Sequence, residues 1–442
     1  MRLDYSRVLP IFALVFVDVL GLTVILPLLH LYAVRYGATP LEIGLVVAAF
    51  PLAQMIGLPV MGALSDRYGR KPLLLISQIT TCLSFILLGL ADSLSLIILS
   101  RLIDGLFGAN ISTAQAALSD ITTDENRAQG LGLTGAAFGL GFIFGPVIAI
   151  ITLELSNNLA IPAFTAATYS LFSILLTLFV FKETLPPEKR GAESTGTGPL
   201  VALRMIRRPQ INLLLLLMFA QQLIFFGFES LLGLFTLSRL GLLGQGNAII
   251  FLLVGVVLVT VQARFIGRWS RKYGERRLVQ VAFGLLTVGL LLVALTPEQP
   301  HPFYIQRVVE AELLEQAPSG TEALIGGINI DLPDENNRGI GGFVWLLVAI
   351  VPLSIGAGLI RPSLNSLMTK RVDKHEYGSI LGASSALVSA ANAAAPLIGG
   401  LIFQQMGSTA PFLMGGVLMA LLWLLSLMVL RSNDFYTRSV VQ

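Results

Sequence analysis

Long apolar runs separated by short polar connections are the dominant pattern along this chain. Windows long enough to cross the hydrocarbon layer of a membrane occur twelve times. They lie at residues 8–32, 42–64, 72–91, 95–118, 128–152, 161–182, 211–238, 246–268, 276–296, 340–369, 376–403 and 410–431. The pattern therefore predicts an all-α membrane protein with twelve transmembrane helices.

An internal repeat divides the predicted helices into two sets of six. The segment that begins at Gly62 recurs at Gly267, 205 residues later, whereas Pro146 recurs at Pro396, 250 residues later. The difference between the two offsets is about the length of the polar stretch 297–338, which we interpret as an insertion. The predicted organisation is a six-helix bundle at 1–182, a linker at 183–209, and a pseudo-symmetric six-helix bundle at 210–442 with the outer-loop insertion 297–338.

The sequence is compatible with more than one role for two polar segments, the linker and the insertion. In the linker, residues 200–208 are either a basic amphipathic helix on the membrane surface or part of a plain tether. The insertion 297–338 is a lid, a partner-binding element or a tolerated loop, and we favour the tolerated loop.

Composition and charge agree with a membrane protein. The 442 residues are 55% hydrophobic and 12% charged, and the net charge of +3 gives no reason to expect nucleic acid. The single cysteine, Cys82, excludes an intrachain disulfide and a cysteine-based metal site. On the twelve-helix topology, 23 of the 29 Lys and Arg residues fall on one side and four on the other. We therefore expect a plasma (inner) membrane protein with both termini in the cytoplasm.

The most heavily charged connection lies between the second and third predicted helices. Residues 62–72 read GALSDRYGRKP, with four charges in six consecutive residues. Such a segment is excluded from hydrocarbon, so we expect a tight loop in which Gly62 and Gly69 allow sharp turns. Asp66 is the lone acid among three bases and is suited to hold a helix end or a neighbouring base.

This connection resembles the loop motif of the major facilitator superfamily, and every consensus position is present. The resemblance implies the major facilitator fold, in which two bundles rock around a central cavity. It also implies that the motif acts as a conformational latch between the bundles and not as a ligand site. The latch positions are Gly62, Asp66, Arg67, Gly69, Arg70 and Lys71.

Ionisable residues inside the predicted helices are the main candidates for function. Charged side chains are costly in hydrocarbon, so their presence there suggests a role in transport or in ion pairing. The chain has five such residues, namely Asp18, Arg101, Asp104, Glu229 and Arg361.

Asp18 lies about a third of the way into the first predicted helix. Because burial disfavours its charged form, it is suited to take up a proton, and we expect it to take part in proton coupling. Together with the following Gly21 and Pro27, it resembles the first span of drug/proton antiporters. The alternative is a structural acid that pairs with a neighbouring helix.

Arg101 and Asp104 are three residues apart and share one face of the fourth predicted helix. The stretch RLIDG resembles the fourth-span motif of the superfamily, whose arginine is tied to proton transfer. Tetracycline exporters usually have a small residue where Asp104 stands. Asp104 is therefore either the permanent partner of Arg101 or a second protonatable site.

The fifth predicted helix is rich in glycine. Its sequence GAAFGLGFIFGP, with Gly141, Gly145 and Pro146, permits close helix contact and resembles the span-five motif of antiporters. Ala149 and Ile150 replace the closing Gly-Gly of that motif. Tight packing alone is the alternative interpretation.

A face of the seventh predicted helix carries polar and aromatic residues at helical spacing. Gln222, Phe225, Phe226 and Glu229 suit a cavity for amphipathic or cationic organic molecules, and we expect Glu229 to take part in proton coupling too. The alternative is a hydrogen-bonded glutamate with core aromatics. Arg361 is a further substrate candidate or a partner of Glu229, and Asn392 bonds either substrate or a neighbouring helix.

The resemblance is closest to tetracycline-exporter-like drug antiporters, although the ninth predicted helix lacks the acid that tetracycline exporters carry there. It implies a monomeric proton-coupled efflux antiporter whose partners are protons, a small organic substrate and the lipid bilayer. The alternatives are a proton-linked importer, a lipid or metabolite carrier, or a receptor. We expect no enzyme, cofactor or metal, because the three histidines are scattered and no hydrolase or zinc motif occurs.

Overall fold

A computed structural model describes residues 5–122, 127–156, 158–190, 211–315, 330–371 and 377–430. Twelve of the helices in these ranges are long and apolar enough to cross a membrane, and we number them spans 1 to 12 in chain order. They are Arg7–Val34, Pro40–Tyr68, Arg70–Gly89, Leu94–Ile121, Thr134–Ser156, Ala160–Phe179, Asn212–Leu240, Gly244–Tyr273, Glu275–Ala294, Gly341–Thr369, Ile380–Met406 and Ala410–Met428. The prediction of an all-α protein with twelve transmembrane helices is confirmed.

The start of span 2 shows how local sequence sets a helix boundary. The Thr39 hydroxyl accepts the N–H of Glu42 at 3.3 Å, and the Glu42 carboxylate accepts the N–H of Thr39 at 2.8 Å. This reciprocal capping box satisfies two backbone donors that the first helical turn leaves free. Pro40 occupies the first helical position, where its fixed φ suits a helix and its missing N–H costs nothing.

The charged connection between spans 2 and 3 is shorter than expected. The helix of span 2 continues to Tyr68 and that of span 3 begins at Arg70, so Gly69 alone joins them. Gly69 has φ +105°, a value that residues with a Cβ rarely adopt. The predicted turn at Gly62 is wrong, because nothing between Gly62 and Tyr68 interrupts the backbone hydrogen bonds of the helix.

Helix packing follows the sequence repeat. In the first half, span 1 packs against span 5, span 2 against span 4, and span 3 against span 6. The second half repeats these pairs as spans 7 and 11, 8 and 10, and 9 and 12. The two halves meet mainly through spans 2 and 11 and through spans 5 and 8. The segment 200–208 of the linker lies outside the described residues, and its role stays a prediction.

The two halves approach each other at one face of the molecule. We call the face that contains Gly69 and Gly274 the basic face, and the opposite face, where span 2 begins, the distal face. At the distal side of spans 2 and 11, a Cβ built on Gly44 would lie 2.3 Å from the Pro396 carbonyl oxygen. At the basic face, by contrast, the end of span 8 at Ile266–Tyr273 contains no buried residue. The halves are therefore in direct contact at the distal side, whereas the end of span 8 at the basic face has exposed or partly exposed side chains.

The polar insertion contains an ordered helix at Gln306–Glu315 on the distal face. Its Val309 and Leu313 side chains are buried, and Tyr304 just before it is fully buried in the main apolar core. Tyr304 packs against Gly241, whose φ of +63° ends span 7. The described part of the insertion is thus packed onto the second bundle.

Candidate functional site

Asp18 lies inside the first bundle and is hydrogen-bonded through side chains. The Ser173 hydroxyl of span 6 donates to Asp18 Oδ1 at 3.3 Å. Gln78 of span 3 in turn donates from Nε2 to Ser173 Oγ at 2.9 Å. The carboxylate therefore ends a chain of hydrogen bonds that links spans 1, 3 and 6.

Arg101 and Asp104 form a buried pair on span 4. Arg101 Nη1 lies 3.5 Å from Asp104 Oδ2, and the side chains are 3% and 6% exposed. Arg101 Nη2 also donates to Ser84 Oγ at 3.4 Å, and its guanidinium lies 5.5 Å from the centre of the Phe85 ring. Each charge has its counter-ion close by, which reduces the cost of burying both. In the described part of the chain, no ion pair joins Asp18 to Arg101.

Glu229 faces a small cavity between the two bundles. The cavity has a volume of about 20 Å³, which is room for one water molecule. Its lining comes from spans 1, 2, 7 and 8 and includes His30, Val47, Glu229, Ser230 and Phe251. Among the described residues, no group donates a hydrogen bond to the Glu229 carboxylate or forms an ion pair with it. The other predicted substrate residues lie outside this lining.

The structure places Gln222 of span 7 and Asn392 of span 11 in contact. Gln222 Nε2 donates a hydrogen bond to Asn392 Oδ1 at 2.7 Å. Phe225 packs against Phe228 with ring centres 5.9 Å apart, and Phe226 is partly buried. Arg361 is exposed on span 10. Over the described ranges, Arg361 forms no ion pair with Glu229, so the structure does not join these two candidates.

His30 is a residue of this region that the sequence pattern did not single out. Its imidazole is 4% exposed, and Nε2 lies 3.3 Å from Nδ2 of Asn247 on span 8. Asn247 Nδ2 also donates to the Pro27 carbonyl at 3.3 Å, and Asn247 Oδ1 accepts the Thr236 hydroxyl at 2.8 Å. Two bundles thus share a buried polar contact beside the Glu229 cavity. His30 and Asn247 are 217 residues apart, and no spacing in the sequence connects them.

The latch candidates gather at the basic face. Arg70 Nη1 donates to Asp66 Oδ1 at 2.6 Å, and Arg70 Nε donates to Asp120 Oδ2 at 2.9 Å. Lys71 Nζ donates to the Phe181 carbonyl at 2.9 Å. Arg67 lies over the Tyr68 ring, with its guanidinium carbon 5.4 Å from the ring centre.

The glycines of span 5 lie against span 1. A Cβ on Gly141 would be 2.4 Å from a Val19 methyl group, and a Cβ on Gly145 would be 2.1 Å from Thr23 Oγ1. Thr23 donates this hydroxyl to the Gly141 carbonyl at 2.9 Å. Pro146 lies inside the same helix. Any side chain at the two glycines would force spans 1 and 5 apart.

Two packed six-helix halves, with a buried carboxylate at a small cavity between them, are typical of a polytopic membrane transporter. The family model for the Major Facilitator Superfamily matches residues 11–305 and 339–439. The chain belongs to the major facilitator superfamily. The unmatched stretch 306–338 falls within the insertion. In the described part of the chain, no cluster of His, Cys, Asp and Glu side chains suits a metal ion.

Individual proteins of this superfamily are similar to the chain at low identity. Multidrug resistance protein 2 of Bacillus subtilis is 24% identical over 92% of this chain and 90% of its own length. Tetracycline resistance protein, class B, of Escherichia coli is 26% identical over 88% of this chain and 86% of its own length. The crystal structure of the human organic anion transporter MFSD10 (TETRAN) has a TM-score of 0.61 at 22% identity and covers 96% of this chain and 100% of its own. The shared fold is that of a membrane transporter of small molecules.

Proposed function

We propose that the protein is a proton-coupled efflux antiporter for amphipathic organic molecules and works by alternating access. The basic face would lie in the cytoplasm, in keeping with the excess of Lys and Arg on that side. Multidrug and tetracycline resistance proteins of the same superfamily are similar over most of their length, which supports efflux of organic molecules.

The main observation in support of this proposal is the position of the Glu229 carboxylate. It lies in the membrane, borders a cavity shared by both bundles, and makes no hydrogen bond or ion pair within the described ranges. An acid in that position is stable when protonated and is suited to lose its proton when a cationic or polar substrate group arrives. Asp18 offers a second protonatable carboxylate, connected to spans 3 and 6 through Ser173 and Gln78.

The arrangement of the bundles supports a state open to the cytoplasm. Substrate would enter from the basic face and bind near Gln222, Phe225 and Glu229. Rocking of the bundles would then close the basic face, open the distal face and release substrate there. A proton taken up from the distal side would return with the empty carrier and leave on the cytoplasmic side.

The test uses purified protein in liposomes with an acidic lumen, in the orientation that places the distal face inside. Addition of tetracycline or of the lipophilic cation rhodamine 6G outside should release protons from the lumen. Asp18→Asn and Glu229→Gln should each reduce this release by at least tenfold, because neither amide carries a proton through the cycle. Asp92→Asn, which removes an exposed acid on the distal face, is the control and should not alter it.

Transport without proton release in the folded protein would contradict antiport. Release that survives Asp18→Asn but not Glu229→Gln would keep antiport and place coupling at Glu229 alone. Loss with both variants would show that each acid is required.

A carrier of organic anions is the second candidate, and Arg361 is the observation that favours it. Arg361 lies on span 10, is classed as exposed as a whole residue, and forms no ion pair with Glu229 among the described residues. The structurally similar human MFSD10 is described as an organic anion transporter. If this candidate is correct, Arg361→Gln should abolish uptake of a fluorescent organic anion such as fluorescein, whereas cation-driven proton release should be absent in the parent protein.

A further inference from the structure

A second and larger cavity lies at the distal face, outside the candidate site. Its volume is about 390 Å³, which falls within the range of small-molecule pockets. It shares no lining residue with the Glu229 cavity, whose volume is about 20 Å³. The proposed efflux mechanism uses no residue of this larger space, which we call the distal cavity.

Both bundles supply walls of the distal cavity. On the first bundle, Leu31, Leu153 and Leu159 are buried near the ends of spans 1 and 5 and the start of span 6. On the second bundle, residues 241–246 form the connection between spans 7 and 8 and the first turn of span 8. A Cβ built on Gly244 would lie 2.7 Å from a Leu153 methyl carbon and 3.3 Å from a Leu31 methyl carbon. The two bundles are therefore in close contact along the apolar side of the cavity.

The insertion supplies the remaining wall with His301, Glu312 and Leu313. The backbone N–H of His301 donates to the Leu240 carbonyl at 3.2 Å, so this part of the insertion is attached to the end of span 7. Leu313 is 3% exposed and belongs to the main apolar core. These contacts hold the helix Gln306–Glu315 in place and position Glu312, which is partly exposed, at the cavity. A wall held in this way is preorganised for a ligand.

The formal charge of the distal cavity is negative. Among the described residues that line it, Glu312 is the one acid and none is a Lys or Arg. Burial and, to a lesser extent, Arg338 hold the pKa of His301 below its ordinary value of 6.5, so this imidazole is neutral at pH 7. Gln245, which also lines the cavity, donates from Nε2 to the Glu154 carboxylate at 2.9 Å. A second acid therefore lies one hydrogen bond away from the lining.

We propose that the distal cavity binds an amphipathic organic cation, with its apolar body against the leucines of the first bundle and its cationic group towards Glu312. Apolar walls with charge of a single sign select for a ligand that combines an apolar body with the opposite charge. An organic anion or an anionic lipid headgroup would meet the like charge of Glu312. A fully apolar molecule would desolvate the carboxylate and offer it no compensating interaction.

The site depends on a part of the chain that the superfamily model does not match. Glu312 and Leu313 fall in the unmatched stretch 306–338, so the shared fold does not itself supply the charged wall. The insertion, for which the sequence favours a tolerated loop, thereby gains a role as the outer wall of a ligand site. This site does not depend on the proposed function, because a cavity at the distal face can be occupied whether or not transport is coupled to protons.

The test measures equilibrium binding of radiolabelled benzyltrimethylammonium to the protein in lipid nanodiscs. This probe joins one aromatic ring to a permanent positive charge and is small enough for a cavity of about 390 Å³. Glu229→Gln serves as the background, because it removes the acid of the other cavity. We expect saturable binding that the unlabelled cation displaces, whereas neutral benzyl alcohol and anionic benzenesulfonate should not displace it.

Two glutamates of the insertion helix form a matched comparison. Glu312→Gln should weaken binding of the cation roughly tenfold, because it removes the acid of the lining. Glu310→Gln removes the same charge two residues away, but Glu310 accepts a hydrogen bond from Gln306 at 2.9 Å and does not line the cavity. Its binding should stay within about twofold of the background, since salt screens charges that are not in contact with the ligand.

Charge reversal supplies an independent measurement. Glu312→Lys should abolish binding of benzyltrimethylammonium and create binding of benzenesulfonate, while Glu310→Lys should do neither. Equal weakening by Glu312→Gln and Glu310→Gln, or displacement by benzyl alcohol as effective as that by the unlabelled cation, would overturn the inference. Absence of saturable binding in protein that unfolds at the same temperature as the parent would also overturn it. The proton-release assay tests the proposed function separately, so either can fail while the other stands.

Discussion

Lys71 and Glu183 cap opposite ends of neighbouring helices. Glu183 accepts the backbone N–H groups of Arg70 at 2.9 Å and Lys71 at 3.1 Å, where span 3 begins. The Lys71 ammonium donates to the carbonyls of Leu178 at 3.0 Å and Phe181 at 2.9 Å, where span 6 ends. A carboxylate at a helix start and an ammonium at a helix end both satisfy free backbone groups and complement the helix dipole. The two side chains therefore fix span 3 to span 6 at the basic face.

Glu183→Gln should destabilise the protein at neutral pH. Burial by itself would raise the pKa of Glu183, but backbone N–H donors outweigh it and hold the pKa below its ordinary value of 4.5. The folded state gains this stability above pH 4.5 and loses it as the pH falls through the lowered pKa. We expect a loss of about 1 kcal/mol at pH 7 that disappears at acid pH.

The thermal unfolding midpoint, followed by tryptophan fluorescence between pH 3 and pH 7, would measure this effect. Glu188→Gln is the matched control, since Glu188 is exposed on the same connection. A difference between Glu183→Gln and the parent that stays constant with pH would argue against a charge-dependent cap.

Asp104→Asn should destabilise the first bundle. The substitution leaves the Arg101 guanidinium buried without a counter-ion, at a cost of about 3 kcal/mol. Removing both charges with Arg101→Met and Asp104→Leu should recover most of that loss, because two apolar side chains of similar size leave no unpaired charge.

Thermal unfolding midpoints, measured in one detergent, would compare the stability of Asp104→Asn with that of the variant that lacks both charges. The number of protons released per substrate by the Asp104→Asn protein that remains folded then distinguishes the two roles of Asp104, which are the permanent partner of Arg101 and a second protonatable site. An unchanged number assigns a structural pair, and a lower number assigns a second protonatable site.

Sequence patterning predicts the helices of this fold well, because length and hydrophobicity decide whether a segment crosses a membrane. The repeat between Gly62 and Gly267 likewise predicts which helices are equivalent. Helix ends are harder to predict. The charged residues after Gly62 suggested a loop, but the helix of span 2 continues through them to Tyr68.

The candidate site is less predictable, because its contacts join residues that are distant along the chain. Asp18, Glu229 and Arg361 stand out because charge is rare in apolar segments. Their partners, however, depend on how the helices are rotated and paired. The neutral residue Asn247, which contacts the first bundle, carries no such signal and emerges only from the structure.

Gly44→Val should weaken closure of the distal face. A Cβ at Gly44 would lie 2.3 Å from the Pro396 carbonyl oxygen, and backbone atoms on both helices leave no flexible group to move away. Spans 2 and 11 would be forced apart, and the protein would shift towards a state open at the distal face. Gly135→Val is the control, because a Cβ there meets no atom within 4 Å.

Spin labels at Asp92→Cys and Met406→Cys, in the Cys82→Ala background, report opening of this face. These residues are exposed on the first and second bundles respectively. Gly44→Val should lengthen the distance between them and Gly135→Val should not. Equal distances in the two variants would show that the close approach of spans 2 and 11 is not required for closure.

Asn247→Ala should open the distal face through the loss of polar contacts. Asn247 is fully buried and lies within 3.3 Å of the Pro27 carbonyl and of His30 Nε2, both in the opposite bundle. Its third contact, to the Thr236 hydroxyl at 2.8 Å, stays within its own bundle. Thr236→Val therefore removes a buried hydrogen bond of Asn247 without removing either contact between the bundles.

The same pair of spin labels measures the response. Asn247→Ala should raise the open-to-closed ratio at the distal face by roughly thirtyfold, since each buried hydrogen bond contributes about 1 kcal/mol and two are lost. Thr236→Val should lower thermal stability by a similar amount but leave the distance distribution close to that of the parent. If both variants open the face equally, stability of the second bundle and not the contact with His30 and Pro27 controls closure.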